Sequence, residues 1–219
     1  EEAMKTLRTN IQFSGNGLKV IMLTSAMPDE GKSETSSQLA ISMAQTEERV
    51  LFIDADIRKS VLVARFGGGQ QIYGLTQYLT GQRLLGGVLY HTNLPNLDII
   101  FSGPMAPNPA ELLSEDAFSK LIAWARNEYD TIIIDTPPLG SVIDGAIIAQ
   151  RCDGAILVVE SGALSYRLVQ KAKSQLERTG CRILGAVLNR VDMAGSGYYH
   201  RYYGKYSKYT KYYENEPVK

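Results

Sequence analysis

Short apolar runs alternate along the chain with segments whose apolar residues recur at helical spacing. Residues 165–179 predict a helix, because Leu168, Ala172 and Leu176 fall on one face and Ser165 can cap its start. Six runs rich in Ile, Val and Leu predict strands covered on both faces, at residues 18–24, 50–53, 97–101, 131–134, 155–159 and 183–188. The alternation predicts an α/β fold with a mostly parallel central sheet, helices on both faces, and ligands at the carboxyl ends of the strands.

The apolar pattern ends near Asp192. Residues 193–219 are largely Gly, Ser, Lys and Tyr and have no apolar helix pattern. The sequence therefore predicts one domain over residues 1–191, with residues 1–14 as its first helix, and a flexible tail over residues 192–219. The length of 219 residues suits this division, since a domain of this size can bury a real core.

Composition excludes several classes of function. Lys plus Arg and Asp plus Glu number 23 each, so the formal net charge is zero and no global basic field attracts nucleic acid. Cys152 and Cys181 fit no zinc or redox motif, and we expect reduced, buried thiols in a cytosolic protein. No run of eighteen apolar residues predicts a membrane span.

A Gly-Lys-Ser sequence follows the first predicted strand and precedes a helical pattern, which is the context that a phosphate-binding loop requires. Backbone amides and the helix N-terminus are expected to bind phosphate oxygens, with Lys32 at the β- and γ-phosphates and Ser33 on Mg²⁺. Ala26 replaces the first Gly of the strict pattern, and we expect the Glu34 carboxylate to point away from the phosphates. The residues assigned to the nucleotide are Pro28, Asp29, Glu30, Gly31, Lys32, Ser33 and Glu34. The sequence thus predicts an ATP and Mg²⁺ site in a three-layer fold of the P-loop NTPase type.

Three carboxylates stand at the ends of predicted strands. Asp135 closes the run at 131–134, and Asp54 and Asp56 follow the run at 50–53. A P-loop enzyme needs such carboxylates to hold magnesium and to orient a nucleophile. The alternative is that each one merely forms a turn. Because the carboxyl ends of parallel strands share one edge of the sheet, we expect the three to converge near the phosphates.

The combination of these motifs resembles the bacterial tyrosine kinases (BY-kinases), which control capsule and exopolysaccharide synthesis. The motifs that carry the resemblance are the loop at residues 25–33, IDADIR at 53–58, GPMAPNPAELL at 103–113, IIIDTPP at 132–138 and a terminal tyrosine cluster. The resemblance covers nearly the whole chain. It implies an ATP-dependent protein-tyrosine kinase that phosphorylates itself.

The resemblance also implies roles for individual residues. Lys32 corresponds to the Walker A lysine and Ser33 to the magnesium ligand. Asp54 corresponds to the aspartate that contacts the incoming tyrosine hydroxyl, and Asp56 and Asp135 to the residues that hold magnesium, largely through water. Analogy to related ATPases places Asn189, near the end of the last predicted strand, on the adenine. Ser60 stands where the family often has Pro, which leaves the local turn open.

The tail is the expected acceptor of phosphate. Its tyrosines are Tyr198, Tyr199, Tyr202, Tyr203, Tyr206, Tyr209, Tyr212 and Tyr213, interleaved with lysines. The alternatives are a disordered aromatic linker, a tail left over from a partner interface, and a surface that stacks on nucleic-acid bases. The lack of a basic excess elsewhere argues against nucleic acid. The isolated tyrosines, namely Tyr73, Tyr78, Tyr90, Tyr129 and Tyr166, are expected to pack within the domain.

The first helix is the expected site of self-assembly. Glu2, Lys5 and Arg8 lie three residues apart and match the family's ring-forming Glu-x-x-Arg-x-x-Arg, although Lys5 lacks the fork of an arginine. A solvated helix face is the alternative. The implied partners are other copies in a ring-shaped homo-oligomer such as an octamer, a transmembrane activator or polysaccharide co-polymerase, and a tyrosine phosphatase. The implied location is the cytoplasmic face of the cell membrane.

Two other functions share the predicted fold. One is a positioning ATPase of the ParA/MinD type, which usually has a second lysine five residues before the P-loop lysine, where this chain has Met27. The other is a non-catalytic nucleotide-binding regulator. Formation of phosphotyrosine with ATP and magnesium distinguishes the kinase from both.

Overall fold

A seven-stranded sheet forms the centre of the molecule. The computed structural model describes residues 2–60, 62 and 72–192. Its strands are β1 (Val20–Ser25), β2 (Val50–Asp54), β3 (Leu89–His91), β4 (Leu97–Ile100), β5 (Thr131–Asp135), β6 (Gly154–Glu160) and β7 (Ile183–Asn189). The six strands predicted from apolar runs are all confirmed, with ends that differ by at most two residues. The expectation that each is covered on both faces is wrong for β7, an edge strand with no buried residue. The chain divides into a unit of residues 1–189, described here, and a second unit of residues 190–219.

The sheet is parallel except at one edge. The strand order is β3-β4-β2-β5-β1-β6-β7, and only β3 runs antiparallel, paired with β4. β3 has three residues, too few for a periodic apolar pattern, and the sequence analysis did not predict it. β1, β2 and β5 lie in the middle of the sheet and every one of their residues is buried. Central parallel strands are covered on both faces, which explains their continuous apolar sequence.

Helices cover both faces of the sheet. The α-helices of the described residues are α1 (Glu2–Phe13), α2 (Lys32–Ala44), α3 (Leu75–Leu79), α4 (Pro109–Ser114), α5 (Asp116–Glu128), α6 (Asp144–Ala149) and α7 (Tyr166–Arg178), with a 3₁₀ turn at Leu85–Gly87. One core contains Ile11 of α1 and Leu39 of α2, and the other contains Phe118 of α5 and Leu176 of α7. This confirms the predicted three-layer α/β fold and the helix predicted at 165–179. The expected cap is wrong, because the Ser165 side chain makes no capping bond, and Leu168 is 41% exposed.

One expectation about packing is wrong. Tyr166, the first residue of α7, is 75% exposed, because it lies in the first turn of the helix rather than on the face that buries Ala172 and Leu176. Tyr129, in contrast, is buried and contacts the Trp124 ring edge-on. Both cysteines are free thiols. Among the described helices, none has the length and apolar character that crossing a membrane requires.

Candidate active site

The loop between β1 and α2 has the backbone of a phosphate-binding loop. Asp29 and Gly31 both have positive φ, 66° and 85°, so successive amides turn toward a common centre at the start of α2. Gly31 is required for a second reason: a Cβ there would lie 2.1 Å from Nδ2 of Asn189. The loop conformation therefore depends on a residue that permits both positive φ and close approach.

The Glu30 side chain holds this loop in place through hydrogen bonds to backbone amides. Its side chain is buried, and its two carboxylate oxygens accept hydrogen bonds from the backbone amides of Met27, at 2.7 Å, and Glu160, at 3.2 Å. Asn189 donates from Nδ2 to the Glu30 carbonyl at 3.0 Å. The sequence predicts contacts of Glu30 and Asn189 with the nucleotide. In the structure their polar atoms join the loop to the ends of β6 and β7.

Lys32 and Ser33 begin α2 and lie beside the carboxylates. The Lys32 ammonium is 3.5 Å from Asp56 Oδ2, 4.0 Å from Asp135 Oδ2 and 3.3 Å from the Ser33 hydroxyl. Only 11% of the Lys32 side chain is exposed. The lysine thus offsets the charge of two carboxylates while its amine stays at the mouth of the loop.

The sheet topology brings the three carboxylates together. β5 lies between β2 and β1, and the pairing of β2 with β5 sets Asp54 opposite Asp135. Asp56 follows two residues later and its amide bonds the Asp54 carboxylate at 3.3 Å. Asp54 and Asp135 are buried, with exposures of 0% and 1%. Residues 81 positions apart in the sequence therefore share one small volume because parallel strands end at the same edge.

Burial changes the acidity of the two strand-end carboxyls. Burial, reinforced by the charge of Asp135, raises the pKa of Asp54 to about 7. Burial also raises the pKa of Asp135, although the Lys32 ammonium and the Ser33 hydroxyl act against this. Perturbed carboxyls beside a phosphate loop are typical of an active site rather than of turns.

The residues present fit a nucleotide with magnesium. A cavity of about 220 Å³ opens at the loop, lined by Asp29, Lys32, Asp56 and Pro137 among others. Asp135 Oδ1 is buried and has no hydrogen-bond partner within the described part of the chain, so it can accept a bond from a ligand or from its water shell. No group of three or more His, Cys, Asp or Glu side chains in that part could hold a metal by itself. Ser33, Asp56 and Asp135 offer oxygen donors, the kind that Mg²⁺ takes together with waters and phosphate oxygens.

An ion pair that sequence reasoning missed links two loops of the site. Arg58, after β2, contacts Asp144 of α6 through two parallel bonds, from Nε at 2.6 Å and from Nη2 at 3.0 Å. The Asp144 carboxylate is fully buried. The only signal in the sequence was that each residue follows a strand-end aspartate motif. This ion pair joins the segment after β2, which contains Asp56, to the start of α6.

The remaining predicted residues lie outside this cluster. Glu34 is exposed and its carboxylate accepts a bond from Gln38 one turn along α2. Glu2 and Lys5 form an exposed pair within α1, at 3.7 Å, and Arg8 donates to the carbonyl of Ser42 in α2. The eight tail tyrosines lie outside the described residues.

Fold and site together define a P-loop nucleotide-binding protein. A profile described as the AAA domain matches residues 18–179. The tyrosine-protein kinase CpsD of Streptococcus agalactiae is 46% identical over 198 residues, which are 90% of this chain and 85% of that protein. The solved kinase domain of the Escherichia coli tyrosine kinase ETK is 37% identical, with a TM-score of 0.81 over 90% of this chain and 80% of that one.

The chain belongs to the family of bacterial tyrosine-protein kinases. The septum site-determining protein MinD of Pyrococcus horikoshii, solved with Mg-ADP, matches with a TM-score of 0.67 over 80% of this chain and 72% of that one. Its identity of 23% shows a shared fold alone. The resemblance found in the sequence is therefore confirmed at the level of the family.

Proposed function

We propose that this protein is an ATP- and Mg²⁺-dependent tyrosine autokinase that regulates capsule or exopolysaccharide synthesis and export. The observation that carries the proposal is the convergence of Lys32 with Asp54, Asp56 and Asp135 at the mouth of a phosphate-binding loop. The kinase relatives support the acceptor class. A cytoplasmic location beneath the membrane, with a transmembrane co-polymerase as activator and a phosphatase as antagonist, follows the same family likeness.

In this proposal the residues of the site have separate roles in binding ATP, holding magnesium and activating the tyrosine. Lys32 and the loop amides would bind the β- and γ-phosphates, and Ser33, Asp56 and Asp135 would hold the cation. Magnesium, when bound with ATP, neutralises charge on the phosphates. A tyrosine hydroxyl has a pKa near ~10 and is a poor nucleophile at neutral pH. Asp54 orients this hydroxyl and accepts its proton as the phosphoryl group leaves ATP through a loose transition state.

The tail supplies the acceptor tyrosines to a neighbouring subunit. Between Asp192 and Tyr213 lie about twenty residues, which at ~3.3 Å per residue reach up to ~70 Å when extended. Such a length suffices to enter another subunit's site, whereas the tyrosines nearest the domain are too close to return to their own. Each phosphate adds about −1.5 to −2 charges. Several on one tail outweigh its lysines, repel other tails and loosen the assembly.

Mixing a catalytically inactive protein that has an intact tail with an active protein that lacks the tail tyrosines tests transfer between subunits. One protein carries Lys32→Met and an intact tail, and the other is active but has all eight tail tyrosines replaced by Phe. We expect phosphotyrosine on the Lys32→Met tail only in the mixture, with a rate that rises with the concentration of the active partner. Each protein alone is the control. An unlabelled tail in the mixture, when the wild type labels itself, contradicts transfer in trans.

Assembly through α1 is the second part of the proposal. Glu2 and Lys5 are exposed and pair only with each other at 3.7 Å among the ion pairs described, so both can turn to a neighbour. Arg8 instead donates to the Ser42 carbonyl of α2. We expect Lys5→Ala to shift the mass measured by light scattering toward the monomer, and Thr6→Ala, on the same exposed helix, to leave it unchanged. A wild type that stays monomeric at high concentration with nucleotide and magnesium contradicts the ring.

Phosphorylation is expected to loosen the assembly, so the mass measured by light scattering should fall when the tail is phosphorylated. An unchanged mass contradicts this regulation.

A further inference from the structure

A hydroxyl outside the motif residues contacts the proposed proton acceptor. The Ser60 hydroxyl donates a hydrogen bond to Oδ2 of Asp54. The backbone amide of Leu62 donates to the same hydroxyl oxygen at 3.1 Å. Because the Ser60 oxygen accepts from that amide, its own hydrogen is directed toward the carboxylate. The bond therefore has a fixed direction, set by the Leu62 amide on one side of the hydroxyl and the carboxylate on the other.

This bond completes the environment of Asp54. Its other oxygen, Oδ1, accepts from the amide of Asp56 at 3.3 Å. The two bonds together hold the plane of a carboxylate that otherwise rotates readily about its last torsion. Asp56 and Asp135 are the charged neighbours that raise the energy of the Asp54 anion. A neutral hydroxyl stabilises that anion without adding a buried cation that would compete with the ligand's magnesium.

Ser60 is more exposed to solvent than the buried Asp54 carboxylate that it contacts. Asp54 is 0% exposed, whereas Ser60 is partly exposed and lines a groove of about 430 Å³ together with Asp56 and Lys59. Proline, which the family often has after Arg58-Lys59, could not donate this bond.

We propose that Ser60 is a positioning residue for phosphoryl transfer, whose hydroxyl holds the Asp54 carboxylate in the orientation that receives the acceptor tyrosine. The inference rests on the proposed role of Asp54. It predicts an effect on the transfer step and none on nucleotide binding, because none of the described Ser60 contacts reaches the phosphate-binding loop. It also predicts that the effect disappears when Asp54 no longer carries a carboxylate.

Three variants of the full chain test this. Ser60→Ala is expected to lower the maximal rate of autophosphorylation at saturating MgATP about 10-fold, the loss typical of one hydrogen bond to a charged group. The KM for ATP and the affinity for a fluorescent ADP analogue should stay within about twofold. Ser60→Thr retains the hydroxyl and should restore most of the rate. Ser102→Ala is the matched control, since Ser102 lines the same groove and bonds only a backbone carbonyl.

A double-mutant cycle separates this inference from the function on which it rests. If Ser60 acts through Asp54, Ser60→Ala should cause no further loss in an Asp54→Asn background. If Ser60→Ala causes the same loss in that background as in the wild type, Ser60 supports only the local backbone, and the inference is overturned. Wild-type rates in Ser60→Ala, with Asp54→Asn impaired, overturn it as well. An increased rate in Ser60→Ala means that the hydroxyl occupies the acceptor's place, which also contradicts positioning. Full activity of Asp54→Asn instead refutes the proposed role of Asp54 itself.

Discussion

Lys32→Met is expected to abolish measurable autophosphorylation, with a fall in rate of about 100- to 1,000-fold or more, which is the usual cost of losing one charge-stabilising donor. Nucleotide affinity should fall too, because the phosphates lose a charge-assisted partner. The structure adds a second reason. The Lys32 ammonium lies 3.5 Å from Asp56 and 4.0 Å from Asp135, so its removal also leaves two carboxylates facing the phosphates uncompensated.

The measurement is an anti-phosphotyrosine time course with MgATP, together with titration of a fluorescent nucleotide. Lys173→Met is the control for removal of a lysine, because Lys173 is exposed on α7 and pairs only with Glu177 among the ion pairs described. Thermal unfolding of each variant checks that the fold is intact. Activity equal to the wild type in a folded Lys32→Met protein would exclude the phosphate-binding assignment.

Asp54→Asn is expected to separate phosphoryl transfer from nucleotide binding. The rate should fall about 100-fold or more, since an amide cannot accept the tyrosine proton. Binding of MgATP should change little, because the Lys32 ion pairs involve Asp56 and Asp135 and not Asp54. Stability should be unchanged or higher, because the variant removes a buried charge next to Asp135 and an asparagine has the same shape.

Asp56→Asn is the matched comparison for this variant. Asp56 contacts the Lys32 ammonium directly, so its loss should weaken nucleotide binding in magnesium as well as transfer. The informative quantity is the ratio of the two effects in each variant, measured by single-turnover phosphorylation and by equilibrium binding. Equal losses of binding in Asp54→Asn and Asp56→Asn would contradict the division of labour between the two carboxylates.

Local sequence patterns were enough to predict the strands, the phosphate-binding loop and the carboxylates that form the site. Continuous apolar runs of four to seven residues predicted the six parallel strands. Those in the middle of the sheet are covered on both faces, whereas β7 at the edge has no buried residue. Gly31-Lys32-Ser33 between a strand and a helix predicted the loop, and the aspartates at the ends of two runs predicted the carboxylates. These features depend on residues close together in the chain, where the apolar period and the backbone freedom of glycine decide the conformation.

What the sequence alone determined is therefore the fold class, the family and the residue types that carry the chemistry. Only the tertiary structure decided how they are held. Four contacts became visible only in the folded chain. The Glu30 carboxylate accepts from a loop amide, and Asn189 donates to the Glu30 carbonyl. Arg58 pairs with Asp144, and the Ser60 hydroxyl donates to Asp54. Most of these contacts join residues far apart in the sequence, and the Ser60 contact joins two residues six positions apart whose approach no local pattern specified. Whether a polar side chain meets ligand, solvent or backbone depends on strand order and register, which no local period encodes.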